Sequence, residues 1–191
     1  MREDLGVLPA IIPQPVLLIA TYNDDKTINV MTVAWGGHCA DNKLALNLAR
    51  DRKTLVNIMA RGGFTAHITD EDHVAEADFF GTVSGYSIPD KFDRTELHAT
   101  KSEYVEAPII TELPLVMECE FEEVRDFNGE KRVVGIILNV NADEKILDFD
   151  GKVDPTKLKP VIFEQFTNSY YSMGRRLGEA WKIGNDFVRK Q

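Results

Sequence analysis

From residue 113 the chain reads LPLVMECEFEEVRDF, then Asn128-Gly129, then EKRVVGIILNVNADEKI. Two long segments rich in Val, Ile, Leu and Phe flank the turn signal FNGE. An Asn-Gly pair accepts the positive φ angles of the tight turn that joins antiparallel strands. Shorter strand-like segments precede this hairpin. PVLLIATYND (15–24) is turned by NDDKT into INVMTVAW (28–35), and LALNLA (44–49) and FTAHIT (64–69) follow.

Helical periodicity is scarce. RKTLVNIMARGG places Leu55, Ile58 and Met59 on one face, and Gly62-Gly63 ends it. DEDHVAEADFFG reads as a short helix with Asp70 at its N-cap. Residues 81–103 read mostly as loop, broken by Gly85 and Pro89. After residue 160 come aromatic residues and then MGRRLGEAWKIG, which predicts an amphipathic helix or two short ones. About six strands with short helices predict a mostly β fold, a small barrel, over one domain spanning residues 1–191 with a helical tail over about 165–191. No strand is followed by GxGxxG, so a doubly wound dinucleotide fold has no support.

Composition excludes several functions. The 191 residues carry 22 Lys plus Arg against 31 Asp plus Glu, a net charge of −9. Nucleic-acid surfaces are usually basic, so no nucleic-acid partner is expected. Cys39 and Cys119 form no CxxC and no disulfide framework, which points to a reducing compartment. Pro9, Pro13 and Pro15 interrupt the apolar N-terminal region, and acidic residues stand where a signal peptide needs positive charge. No run is long enough to span a bilayer. The expected location is the cytoplasm, away from any membrane.

Chemistry-bearing groups are few. In INVMTVAWGG, Val30, Thr32 and Ala34 alternate with Asn29, Met31, Val33 and Trp35, so apolar and polar residues are mixed on both faces before Gly36-Gly37. A binding edge for a flat ligand would explain the mixture. NLARDRKTLVN ends a strand at Ala49, adds Arg50, Arg52 and Lys53, and starts a helix near Thr54. Free N–H groups at a helix start, with basic side chains and a hydroxyl, make a phosphate cradle; a solvated basic turn reads equally from the same residues. Ser84-Gly85 and Lys91 form a second candidate loop, whose plain alternative is surface. His38, His67, His73 and His98 show no metal-ligand spacing, so no metal is expected. His38 and Cys39 are neighbours that a strand would point to opposite faces, a poor acid–base couple. No GxSxG is present, and no catalytic side chain is assigned. Tyr170, Tyr171 and Trp181 suit either the core or a partner chain.

Taken together, PQPVLLIATYNDDKTINVMTVAWGG, RKTLVNI, ADFFGTVSG, DKF, APIITELPLVMECEFEEV, VVGIILNVNADE and NSYYSMGRRLGEAWKIG resemble the flavin reductase-like family over nearly the whole chain. The resemblance implies an FMN-binding split β-barrel. It implies that Asn29, Met31, Thr32, Val33, Ala34 and Trp35 line the flavin ring, with Thr32, Val33 and Ala34 bonding its edge through their backbone. Gly36-Gly37 would then turn the chain away. The family's arginine at the end of the third strand is replaced here by Ala49. The phosphate role falls first to Thr54, then to Lys53, Arg52 and Arg50. Ser84, Gly85 and Lys91 match the loop that covers the flavin, with Lys91 placed to stabilise negative charge on it. The family further implies an oxidoreductase and a homodimer with the aromatic tail reaching across. Electrons would come from NADH, NADPH or a redox partner. A carrier that does not use NAD(P)H, a free-flavin reductase and a non-catalytic barrel module are the rival readings.

Overall fold

The structure is a computed structural model that describes residues 1–188. The strands are β1 (Gln14–Pro15), β2 (Leu17–Tyr22), β3 (Ile28–Val33), β4 (Gly36–Ala40), β5 (Lys43–Ala49), β6 (Gly63–Ile68), β7 (Ala99–Lys101), β8 (Pro108–Ile110), β9 (Leu115–Phe127), β10 (Glu130–Ala142), β11 (Val161–Glu164) and β12 (Ser169–Ser172). The helices are α1 (Lys53–Arg61), α2 (Val74–Thr82), α3 (Pro155–Leu158) and α4 (Asn185–Val188). None of the described helices is long and apolar enough to cross a membrane.

Seven strands pair antiparallel in the order β3-β2-β6-β9-β10-β5-β4. The β9–β10 hairpin is the spine, and its turn has Asn128 at φ 48° and Gly129 at φ 98°, as the Asn-Gly pair requires. The two ends of the sheet approach each other where Asn47 N–H donates to the Trp35 carbonyl at 2.8 Å. The result is a barrel whose wall opens between β3 and β5.

Both faces of β2 are covered, which explains why Val16–Ala20 is an unbroken apolar run instead of an alternating one. Leu17 and Ile19 face the barrel interior with Met31, Val33, Leu46, Ile58 and Phe64. Val16, Leu18 and Ala20 face outward with Val30 of β3, where Ala77 and Phe80 of α2, Phe92 of the long connection and Ile110 of β8 cover them. The mixed faces of β3 have the same cause: Val30 belongs to one core, Met31 and Val33 to the other. At the β10 bulge, a Cβ on Gly135 would lie 2.6 Å from the buried Phe64 ring, so only glycine fits there.

Four expectations are corrected. Met59 does not share the buried face of α1; it is 54% exposed, and Thr54, Leu55, Asn57 and Ile58 are the buried set. Gly36-Gly37 do not turn the chain away. They open β4, which pairs antiparallel with β5, and Gly36 admits the close approach of Leu46, on which a Cβ would press at 2.9 Å. Asp70 stands at an N-cap but makes no side-chain cap bond; its carboxylate holds His73 Nδ1 at 2.5 Å. The tail holds no helix over 173–184: Ser169–Ser172 is a strand beside β11, and helix returns only at Asn185–Val188. Residues 189–191 of that expectation lie outside the described residues.

His67 is a buried titratable group of the barrel wall. Its Nδ1 meets the Leu18 carbonyl at 3.2 Å, and its Nε2 accepts from Ile110 N–H at 2.9 Å. A ring that accepts at Nε2 is neutral. Burial pulls its pKa from 6.5 down to about 4. Below pH 6.5 the unfolded chain takes up a proton that the folded chain refuses until about pH 4. Stability therefore falls as the pH drops through that window, by up to about 3 kcal/mol from this group. Urea unfolding of the wild type and His67→Gln across this range should show a shallower pH slope in the variant; equal slopes would assign the acid sensitivity to other groups.

Candidate functional site

A cavity of about 280 Å³ lies in the opening between β3 and β5. Met31, Thr32, Val33, Ala34 and Trp35 form one wall, and Asn47, Leu48 and Ala49 form the other. Arg52 stands at the end where α1 begins. Seven residues predicted for a ligand site therefore meet in one cavity: Met31 to Trp35, Ala49 and Arg52. β3 pairs with β2 on one side only, so its other edge offers backbone N–H and C=O groups to the opening. Thr32 is held by its hydroxyl, which donates to the Ala77 carbonyl of α2. The cavity combines apolar walls, an unpaired backbone edge and one cation.

The other predicted residues sit behind or beside it. Asn29 lies beneath α1, where its Nδ2 donates to Thr54 Oγ1 at 2.9 Å. Asn57 Nδ2 bonds Thr21 Oγ1 at 3.1 Å and Asn23 Oδ1 at 2.9 Å, completing a buried polar cluster. Thr54 thus anchors the helix start on β2 and β3. The Arg52 side chain makes no cap bond at this helix; Leu55 N–H bonds the Arg52 carbonyl at 3.1 Å, and the Lys53 and Thr54 N–H groups remain for a ligand. Arg50 turns away: its Nε donates to the Gly129 carbonyl at 3.0 Å on the β9–β10 turn. Lys53 lies over the Tyr86 ring at 5.8 Å.

Gly85 packs directly over Asn29, since a Cβ there would come within 2.3 Å of Asn29 Oδ1. Ser84 starts the turn beside it, bonding Tyr86 N–H through Oγ at 3.2 Å. Ser84 and Gly85 stand near the helix start and do not line the cavity. Lys91 is buried, and its Nζ donates to the carbonyls of Val83 at 3.1 Å and Phe80 at 3.4 Å, closing the C-terminal end of α2. Burial, and then the positive charges of Arg52 and Lys53, lower its pKa to about 8. Its ammonium therefore supports the helix that holds Thr32 and does not sit on the cavity wall.

Sequence reasoning missed several lining residues: Asn47, Gly81, Glu130, Phe163 and Tyr170. Tyr170 comes from β12, donates to Asp78 Oδ1 at 3.1 Å and packs its ring against that of Phe163, centres 5.7 Å apart and tilted by 53°. Burial, with the Asp78 bond, raises its pKa to about 12, so it remains a neutral phenol. Only its aromatic character in the tail was visible beforehand. No cluster of His, Cys, Asp and Glu among the described residues could hold a metal.

Replacing Thr54 with Val would leave the buried Asn29 amide short of an acceptor. Thr54→Val should lower stability by about 1–3 kcal/mol, read by chemical unfolding, and should weaken anion binding at the α1 start. An unchanged unfolding midpoint would mean that the cluster does not anchor the helix.

The sequence profile of the flavin reductase-like domain matches residues 10–157. Among solved structures, the chain is similar to flavoredoxin of Desulfovibrio vulgaris (Miyazaki F), at 33% identity and a TM-score of 0.91, covering 96% of this chain and 100% of that one. It is also similar to flavoredoxin from Methanosarcina acetivorans, at 26% identity and a TM-score of 0.85, covering 98% of each chain. Nitrilotriacetate monooxygenase component B from Bacillus cereus shares the fold at 18% identity and a TM-score of 0.80, covering 94% of this chain and 100% of that one. With its mostly antiparallel split barrel and this match over most of its length, the chain belongs to the flavin reductase-like family.

Proposed function

We propose that this chain is an FMN-dependent oxidoreductase that holds its flavin in the opening between β3 and β5. The observation that carries this reading is the meeting of an unpaired strand edge, Thr32 to Trp35, with Arg52 at a helix start in one cavity. The residues present fit the group. A flat heteroaromatic ring wants apolar walls and a few backbone donors and acceptors, and a phosphate wants a cation beside free helix N–H groups. Bound there, FMN would supply the hydride and electron chemistry, with NADH, NADPH or a redox protein as donor.

The protein's part is positioning and electrostatics. Met31, Val33 and Leu48 exclude water from the walls, and the Thr32 hydroxyl fixes the strand edge against α2. Asn29 and Thr54 fix the start of α1, and Arg52 neutralises the anion held there. No side chain is needed as acid or base.

A homodimer is part of the proposal. The arm after Ser172 carries Leu177 at 80% and Trp181 at 96% exposure, with Ile183 and Phe187 also exposed. A second copy would cover this apolar surface. Sedimentation should give a dimer, and truncation after Ser172 should shift it towards monomer; a monomeric full chain overturns this part.

The flavin reading is tested by the visible spectrum of the purified protein and by titration with FMN and riboflavin. FMN should bind, and Arg52→Ala should weaken FMN by about 10- to 100-fold while leaving riboflavin nearly unchanged. A colourless protein that ignores added FMN ends the proposal. Anaerobic bleaching by NADH or NADPH would identify a nicotinamide donor, and persistence of the colour a protein donor.

A further inference from the structure

Val16, Gly81, Phe163 and Tyr170 complete the cavity on its Thr32 side. Resting on the flavin reading proposed above, we infer that Phe163 and Tyr170 form the wall that meets the flat ring of the ligand, and not its phosphate chain, and that Asp78 is the positioning residue that sets the Tyr170 ring.

Contacts along β3 place the two ends of the cavity apart. The Asn29–Thr54 bond seats the start of α1 at the beginning of this strand. Arg52 belongs to that end, since it precedes the helix and its N–H donates to the Ala49 carbonyl at 3.2 Å. Thr32 lies further along β3, roughly 10 Å from Asn29 at the rise of an extended strand. The aromatic pair gathers at Thr32. A Cβ on Gly81 of α2 would lie 3.3 Å from Thr32 Cβ, and Thr32 Oγ1 donates to the Ala77 carbonyl of the same helix. The next residue, Asp78, accepts from the Tyr170 hydroxyl at 3.1 Å. Phe163 and Tyr170 both pack on the apolar cluster that contains Val16 and Ala77. An anion seated beside Arg52 therefore leaves the aromatic pair to the apolar part of the ligand.

Both rings are half-buried and give part of their surface to the cavity. Their planes are tilted by 53°, so at most one of them can lie flat on a planar ligand while the other turns an edge to it. A free phenol ring would rotate about its side-chain bonds. The Asp78 bond removes that freedom before a ligand arrives, which lowers the ordering cost of binding. It also engages the hydroxyl with protein, so the ring and not its polar tip faces the cavity. A second cavity, of about 490 Å³, lies beyond Trp35 and Asn47 beside Arg132, and neither Phe163 nor Tyr170 lines it. Changes at Tyr170 therefore report on the first cavity.

Lumiflavin (the ring without its chain), riboflavin and FMN are titrated against the full chain and its variants. Tyr170→Leu should weaken all three by a common factor of about tenfold, the scale of a lost aromatic contact to a flat heterocycle. Arg52→Ala, by contrast, should act on FMN alone. Tyr170→Phe and Asp78→Ala should each weaken the three by about threefold. Combined, they should do no more than either alone, because both remove one bond. Asp78→Asn keeps an acceptor and should bind nearly as the wild type does. In protein labelled with 3-fluorotyrosine, the Tyr170 fluorine signal is assigned among the five tyrosines by its loss in Tyr170→Phe. It should shift on saturation with lumiflavin, which a purely structural tie away from the ring would not produce. Near-ultraviolet circular dichroism checks folding; if Tyr170→Leu does not fold, the fluorine signal and Asp78→Ala decide. A wild type that binds none of the three flavins ends the flavin reading and this inference with it. Flavin binding by the wild type with unchanged affinity in a folded Tyr170→Leu, a loss confined to FMN, or a fluorine signal that does not move would overturn this inference and leave the flavin reading standing. Additive effects of Tyr170→Phe and Asp78→Ala would overturn the role given to Asp78.

Discussion

An amide and a hydroxyl separated by 25 residues, Asn29 on β3 and Thr54 on α1, meet inside the molecule at 2.9 Å. Asn57, Thr21 and Asn23 extend the contact into a cluster in which the buried polar groups serve each other. Leaving any of them unpaired would cost more than the bond contributes, so the start of α1 has one stable seat on the sheet. Arg52 and the free N–H groups of the first turn inherit that seat. So does Gly85, whose close approach to Asn29 brings the 84–86 turn over the helix start. The geometry of the Arg52 end of the cavity is thus fixed from beneath.

The other end depends on a sheet that does not close. Past Val33, β3 has no partner on its outer side, and a single Trp35–Asn47 bond ties it to β5. A complete ladder there would have consumed the backbone groups that a ligand can use. Unpaired edges are ordinarily liabilities. Here α2 packs on β3 through Thr32 and Ala77, and Lys91 in turn secures the carbonyl end of α2. The same split places Trp35 and Asn47 between two cavities, one with Arg52 and the other with Arg132.

Much of the frame was readable because its signals are local. The Asn-Gly turn set the β9–β10 hairpin, the apolar run of β2 marked a strand, and the basic residues before Thr54 marked a helix start. The tail misled for an equally physical reason. MGRRLGEAWKIG has amphipathic spacing, but short helices are marginal without a surface to bury their apolar face. Over 173–184 the residues are exposed, and no such surface covers them among the described residues.

The sequence alone determined the mostly antiparallel strands and the segments that build the cavity, since these are carried by consecutive residues whose turns and periodicities act at short range; the family was legible only as a resemblance spread over those segments. Only the tertiary structure decided which side chains face the cavity. Arg52 lines the cavity while Arg50, two residues earlier, bonds the far hairpin. Lys91 closes a helix, and Tyr170 and Phe163 enter from the end of the chain. Those assignments rest on contacts between residues distant in sequence, and nothing in a local pattern encodes which cation will be left free once the barrel has formed.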